Sequence, residues 1–373
     1  MIKKNDPTTF LARELRPEAR LVLCCTRTEV STEIAGEIKS LAALPLDWEF
    51  LCASADKHRV TQLLFRNLSA VAPASIPADI RSRLRHQFYV NAGSNLKLAH
   101  ALIDLLQKFR AAAIPVIPFK GSILANGTYG KLALRQNYDV DLFIREQDIE
   151  ESKRLLVAED YALDENFDRA ERFWSAVKDV EIDLHWAFTP RYFHHSVDFD
   201  QLFAGTREES LLEDRVRTFS AEDFLLILCL QVVKDCWERQ QQLEHLSKVC
   251  DIAEHLRANP DINWPRMAER ARMDGLERIF HIGLIMAHEL LGANLPVEIK
   301  DTIGSDTRAR KCAKNMCRLI FTEADTLSPL DNPYFSLGLR FRQLRFYLGI
   351  RERYRERLMH LGEIFNVYKL VRT

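Results

Sequence analysis

Glycine is scarce in this 373-residue sequence, with 13 in all, roughly half of the usual share of about 7%. Glycine weakens helices, so its scarcity points to a helix-rich architecture. An excess of one charge is also missing: 52 Lys and Arg against 53 Asp and Glu leave a net charge of −1. The whole molecule therefore does not advertise a polyanion-binding surface, and a nucleic-acid partner stays possible without being indicated. No CxxC pair occurs among the eight cysteines, Cys24, Cys25, Cys52, Cys229, Cys236, Cys250, Cys312 and Cys317. Their apolar neighbours mark reduced, buried thiols rather than a zinc site. Long hydrophobic runs are absent too. The apolar stretch Phe224 to Val233, interrupted by Gln231, is roughly half of the ~20 residues that span a bilayer, and no membrane association is expected. The opening MIKKNDPTTF is polar after its lysines and LVLCC is too short for a signal-peptide core, so a cytoplasmic location is expected.

What is present is the balance of a folded globular chain, 47% hydrophobic and 28% charged. Its length suggests two to three domains or subdomains. Up to about residue 113, apolar residues recur at three and four, as in Leu98, Leu102, Leu105, Leu106 and Phe109, which predicts a helical bundle. Asp47 is placed to cap a helix starting at Trp48, and the proline-broken loop 71–77 separates two helical segments. The texture changes at Ile114-Pro-Val-Ile-Pro-Phe119, where two prolines exclude a helix and predict a short edge strand. Asp139 to Ile144 and Val180 to Trp186 alternate as strands do, with helical spacing from Ile149 to Val157 between them. From about Ala221 helical periodicity returns, first over Phe224 to Leu256 and then beyond Asn259-Pro260. The expected fold is α+β and helix-rich, a small mixed β-sheet core between helical N- and C-terminal regions, with boundaries at 1–113, 114–220 and 221–373. The stretch 340–357 carries seven arginines against two glutamates, which reads as a solvated helix face, with a grip on an acidic partner as the alternative.

The chemistry concentrates in the alternating segments. On a strand Asp139 and Asp141 point one way, while Val140, Leu142 and Ile144 point to the opposite, apolar face. Paired carboxylates on a strand with such backing repel each other and lose hydration unless a cation neutralises them. Mg²⁺, typically held by one or two carboxylates plus substrate phosphate oxygens, suits such a pair, and the implied substrate carries phosphates. The second strand sets Glu181, Asp183 and His185 on one face, so Asp183 supplies a third carboxylate if the strands are neighbours, enough for a two-metal site. Upstream, Phe119-Lys120-Gly121-Ser122 follows a strand and precedes a segment, Ile123 to Tyr129, expected to open a helix with Ser122 near its cap. Backbone N–H groups at such a start bind phosphate. His185 is expected to hydrogen-bond a neighbouring acid rather than to join an all-oxygen metal site.

The order of strand, Gly-Ser, helix, DxD strand and a later strand with one Asp resembles the nucleotidyltransferase superfamily of DNA polymerase β. More closely, Phe119-Lys120-Gly121-Ser122, Arg135, Asp139-Val-Asp141-Leu-Phe-Ile144 and Glu181-Ile-Asp183-Leu-His-Trp186 resemble an uncharacterised bacterial nucleotidyltransferase family. Leu46-Asp-Trp48 and Val249-Cys-Asp-Ile-Ala253 are similar to it as well, so the likeness runs over about 18–256. The resemblance implies an enzyme that moves a nucleoside monophosphate from an NTP, ATP included, to an acceptor hydroxyl of a small molecule, protein or RNA, with release of pyrophosphate. It implies that Asp139 and Asp141 bind Mg²⁺ or Mn²⁺, and that Asp183 holds the catalytic metal and helps deprotonate the acceptor. It also implies that Gly121 and Ser122 cradle the pyrophosphate. Arg135 would hold phosphate or pair with a nearby carboxylate, and Lys120 and Lys234 are candidate triphosphate contacts. The competing readings are a catalytically silent nucleotide- or partner-binding module and a DxD sugar-nucleotide glycosyltransferase. The latter is disfavoured by about 100 helical residues before the DxD.

Overall fold

The computed structural model describes residues 15–189, 198–238, 243–317, 320–321 and 350. The arginines of the 340–357 stretch lie outside the described residues. Five helices lead: α1 (Pro17–Cys25), α2 (Thr32–Ala42), α3 (Trp48–Lys57), α4 (Thr61–Val71) and α5 (Ala78–Ala111). Caps set their starts where the sequence supplies them. Asp47 accepts from the Phe50 N–H at 3.0 Å and opens α3, and Ser31 does the same for α2 through the Ile34 N–H. The loop from Val71 contains only a short 3₁₀ turn, Pro73–Ser75, and Pro77 ends it just before α5.

The long helix α5 has two uses along one buried stripe. Its C-terminal half buries Leu98, Leu102, Leu105 and Phe109, the three-and-four spacing of a core face. Near its middle, past the buried Ile80 and Leu84, it also buries two amides. Asn91 Nδ2 donates to the carbonyls of Ala133 (3.2 Å) and Arg135 (3.3 Å); Asn95 Nδ2 donates to those of Leu132 and Arg135. These bonds satisfy backbone carbonyls that a buried turn otherwise leaves unpaired. They also pin the turn that delivers the chain into the central strand.

The sheet has five strands in the order β1 (Val116–Phe119), β2 (Asp139–Ile144), β5 (Val180–His185), β4 (Ala170–Ser175) and β3 (Ala162–Phe167), numbered in chain order. β2 and β5 run parallel, and the other pairs are antiparallel. The crossover from β2 carries the helix α7 (Ile149–Ala158). β1 is an edge strand, which accommodates Pro118 without a ladder donor. The hairpin β3–β4 and a second hairpin, β6 (Arg207–Leu211) with β7 (Asp214–Thr218), were not legible as alternation. Every residue of β3 is exposed, so no apolar stripe announces it. Between them lies the short helix α8 (Phe199–Ala204).

Among the described residues the C-terminal helices are α9 (Ala221–Glu238), α10 (Leu246–Ala258), α11 (Trp264–Met273), α12 (Glu277–Leu291), α13 (Val297–Ser305) and α14 (Thr307–Cys317). The helical stretch expected over Phe224 to Leu256 is thus two helices, α9 and α10. α12 packs against α9, α10 and α14, and one cluster of buried side chains runs from Leu21 to Ile350 through helices and sheet alike. All eight cysteines are free, and seven are buried. Among the described residues no helix is long and apolar enough to cross a membrane.

One face of β2 buries Val140, Leu142 and Ile144 at 3%, 0% and 0% exposure. The other face is divided. Toward its end Phe143 stacks on Phe188 at 4.4 Å between centroids and meets Phe119, Phe199 and Phe219, so the ground next to Asp141 is a dry aromatic layer. Phe143→Ala is expected to cost about 3–5 kcal/mol through the cavity it leaves. Urea denaturation of the full chain measures this, and a loss below about 1 kcal/mol would mean that the aromatic layer does not fix the strand.

Candidate active site

Parallel pairing sets Asp141 directly beside Asp183, Asp139 beside Glu181 and Phe143 beside His185. Neighbours in register share a face of the sheet. The three predicted carboxylates therefore stand on one face of two adjacent strands. Ligand atoms of Asp141, Asp183 and His185 all lie within 4.8 Å of one another. Two carboxylate oxygens and an imidazole at this spacing fit a divalent cation, and Asp139 adds a third acid on the same face.

Electrostatics separate the acids. Burial first, then the charges of Asp141 and Asp183, push the Asp139 carboxyl well above its ordinary range. Asp141 is held below that range although burial alone would raise it, because Lys120 and the His185 hydrogen bond favour its anion. Lys120 Nζ lies 3.4 Å and His185 Nε2 3.1 Å from Asp141 Oδ1. His185 thus hydrogen-bonds an acid, as expected, while its ring nitrogen also stands within 4.8 Å of ligand atoms of both Asp141 and Asp183. Like-charged groups that share a buried site split in this way, one staying ionised and the other resisting ionisation.

Asp183 has a partner that sequence reasoning missed. Arg172 on β4 faces it in register and grips it with a fork, Nε to Oδ1 at 2.8 Å and a terminal nitrogen to Oδ2 at 3.0 Å. Arg172 Nε is also 3.0 Å from Glu181. Nothing in AERFWS marks that arginine without the strand register.

The turn between β1 and the short helical turn α6 (Gly121–Ile123) is backbone-specific. Lys120, a non-glycine residue, sits at φ 55° and ψ −143°, close to a region that is nearly exclusive to glycine and stores strain at functional sites. Gly121 follows at φ +38°, and a Cβ there would meet the Asp139 carbonyl oxygen at 3.3 Å. Glycine lets this turn pass close to the DxD strand. Ser122 is buried but does not cap the helix; the residue before the first turn is Lys120, with no side-chain cap, and after Ile123 the chain continues as a wide π-type turn, Leu124–Thr128. The segment expected to open a helix at Ile123 is helical, but mostly as this wider π turn and without Ser122 as its cap.

Lys234 projects from α9 with Nζ 3.2 Å from Asp235 Oδ1. Lys248 of α10 also donates to Asp235. The charges of Lys234, Lys248 and Lys120 together overcome burial and hold Asp235 well below the usual carboxylate range. Two C-terminal helices thus bring two lysines toward the turn that carries Lys120. Lys248 gave no signal in the sequence beyond its place next to the family-like Val249-Cys-Asp-Ile-Ala253, and Asp235 none beyond its place next to Lys234.

Of the two roles open to Arg135, the structure shows the carboxylate pair. Its Nε and a terminal nitrogen each lie 2.9 Å from the two oxygens of Asp251 on α10, and another terminal nitrogen donates to Asn137. Tyr129 donates to the same Asp251 at 2.6 Å. The fork ties α10 to the segment entering β2, and Asp251 is only 4% exposed in its side chain. Removing one partner of a buried, hydrogen-bonded pair strands the other charge. Asp251→Ala is expected to destabilise the protein by about 3–5 kcal/mol in chemical denaturation. An unchanged midpoint would show that Arg135 does not depend on this pair.

The sequence model of a family described as uncharacterised nucleotidyltransferase matches residues 45–292, well over half of the chain. No protein of curated function and no solved structure matches it significantly. The matched stretch takes in both carboxylate strands, the 120–122 turn, Arg135 and the lysine-bearing helices, and the chain belongs to this family of uncharacterised nucleotidyltransferases.

Proposed function

We propose that the protein transfers a nucleoside monophosphate from an NTP to an acceptor hydroxyl with Mg²⁺ or Mn²⁺ at Asp139, Asp141 and Asp183. The observation that carries this reading is the parallel register that sets Asp141 beside Asp183, with Asp139 on the same face. A divalent cation bound there supplies neutralisation of the triphosphate and of the charge that develops at the α-phosphate.

The chain's own groups have definite tasks in this scheme. The amides of the Gly121–Ser122 turn and the ammonium groups of Lys120 and Lys234 bind the β- and γ-phosphates, which orients the α-phosphate over β2. Asp183 takes the proton of the acceptor hydroxyl. The hydroxyl oxygen forms its bond to the α-phosphorus as the bond to the β-phosphate oxygen breaks, and pyrophosphate leaves with that electron pair. His185 holds the Asp141 carboxylate in orientation through Nε2. Arg172 orients Asp183 through its two-pronged fork. The aromatic layer under Phe143 keeps water from the inner side of the site. Arg135, engaged on Asp251, is a positioning residue in this scheme and not a phosphate ligand.

A module that binds nucleotide without turnover draws on one observation, the Arg172 fork that uses both oxygens of Asp183. Pyrophosphate release separates the two readings. With Mg²⁺, one NTP and a cell extract as the source of acceptor, the protein is expected to release pyrophosphate and to label a component of the extract from the α-phosphate. Asp139→Asn and Asp183→Asn should each lower the rate by about 100-fold or more. Nucleotide binding with no pyrophosphate from any NTP would leave the silent module standing.

A further inference from the structure

A groove of about 380 Å³ opens between α4, α5 and the segment that enters β2, lined among others by Thr61, Gln62, Asn91, Gln136, Asn137 and Tyr138. Its volume suits a small molecule or part of one, not a macromolecule. Asn137 and Tyr138 directly precede Asp139, and two residues span at most about 7 Å of backbone. The groove therefore lies next to the start of the strand that carries Asp139 and Asp141.

Its chemistry differs from that of the phosphate side. Thr61, Gln62 and Asn137 are 2%, 3% and 6% exposed. Thr61 Oγ1, Gln62 Oε1, Gln136 Oε1 and Asn137 Nδ2 have no hydrogen-bond partner. A buried polar atom without a partner costs about 1–3 kcal/mol, so four around one groove call for an explanation. Gln136 and Asn137 each engage their other amide atom, on Tyr138 and Arg135 respectively, so each of the two keeps one unpaired amide atom for an occupant. The ionisable groups on the wall, Asp56 and His86, lie at the exposed rim. Tyr138 is 53% exposed, and the Arg59 guanidinium lies 4.7 Å from its ring centroid.

We propose that this groove receives the base of the nucleotide. Primary amides offer an in-plane donor and acceptor, the pattern that complements the edge of a purine or pyrimidine. The exposed tyrosine offers a stacking surface. No lysine or arginine is among the lining residues, so the phosphates belong with Lys120, Lys234 and Lys248 on the other side of Asp139. The assignment rests on the nucleotidyltransferase reading and extends it to a selectivity site. Gln62, Asn137 and Tyr138 then determine which base is accepted.

Calorimetric titration of the full-length protein tests this with Mg²⁺ plus tripolyphosphate, which carries no base, and with Mg²⁺ plus each of the four NTPs. One NTP is expected to bind at least about tenfold more tightly than tripolyphosphate. Gln62→Leu and Tyr138→Ala should each remove most of that difference and leave the tripolyphosphate affinity unchanged. Tyr138 is a surface residue, so its variant remains informative even if the buried Gln62 variant fails to fold. Equal binding of tripolyphosphate and every NTP, or variants that bind NTP like the parent, overturns the base assignment while the phosphate site stands. Variants that keep NTP affinity but lose transfer overturn it in favour of the acceptor. No binding of any triphosphate by the parent protein removes the nucleotidyltransferase reading and this inference with it.

Discussion

Carboxylates brought together on neighbouring strands repel one another, and much of the central architecture serves to keep them together. Parallel pairing of β2 with β5 brings Asp141 against Asp183. The surrounding groups make that tolerable: the Lys120 ammonium and the His185 ring nitrogen meet Asp141, and the Arg172 guanidinium forks Asp183. Asp139 is left as the acid that resists ionisation. The arrangement is poised for a cation, because a divalent ion at this face would offset the repulsion that burial magnifies.

The helical regions contribute position more than chemistry. Asn91 and Asn95 hold the turn ahead of β2 by its carbonyls, and the Arg135–Asp251 fork ties the same turn to α10. Two independent elements, one from each helical region, thereby fix where the DxD strand begins. Gly121 completes the frame by letting the 120–122 turn approach the Asp139 carbonyl. The strain at Lys120 is held by this packing, and it aims the side chain that meets Asp141.

Much of this was legible before any coordinates. Alternation in Asp139 to Ile144 and in Val180 to His185 reflects a strand with one apolar face, and both strands form with Val140, Leu142, Ile182 and Leu184 buried. Pro115 and Pro118 announced an edge strand, and Asp47 announced a helix start. Residues whose role depends on register stayed hidden. Arg172 matters because β4 pairs with β5 one particular way, and Asp235 and Lys248 matter because two helices converge. The exposed β3 carries no stripe, and Ser122 reads as a cap until the positive φ of Lys120 shows that the turn starts one residue sooner. Arg135 was open between phosphate and carboxylate because only the fold reveals that Asp251, more than a hundred residues later, lies within reach.

The central claim is that Asp139, Asp141 and Asp183 together hold a divalent cation. Titration of Mn²⁺ followed by electron paramagnetic resonance, with and without tripolyphosphate, tests it most directly. The account predicts that the protein removes free Mn²⁺ from solution, more tightly with the triphosphate present, and that Asp141→Asn abolishes this while the far-ultraviolet circular dichroism is unchanged. Free Mn²⁺ that stays undiminished in the presence of parent protein and saturating triphosphate would contradict it.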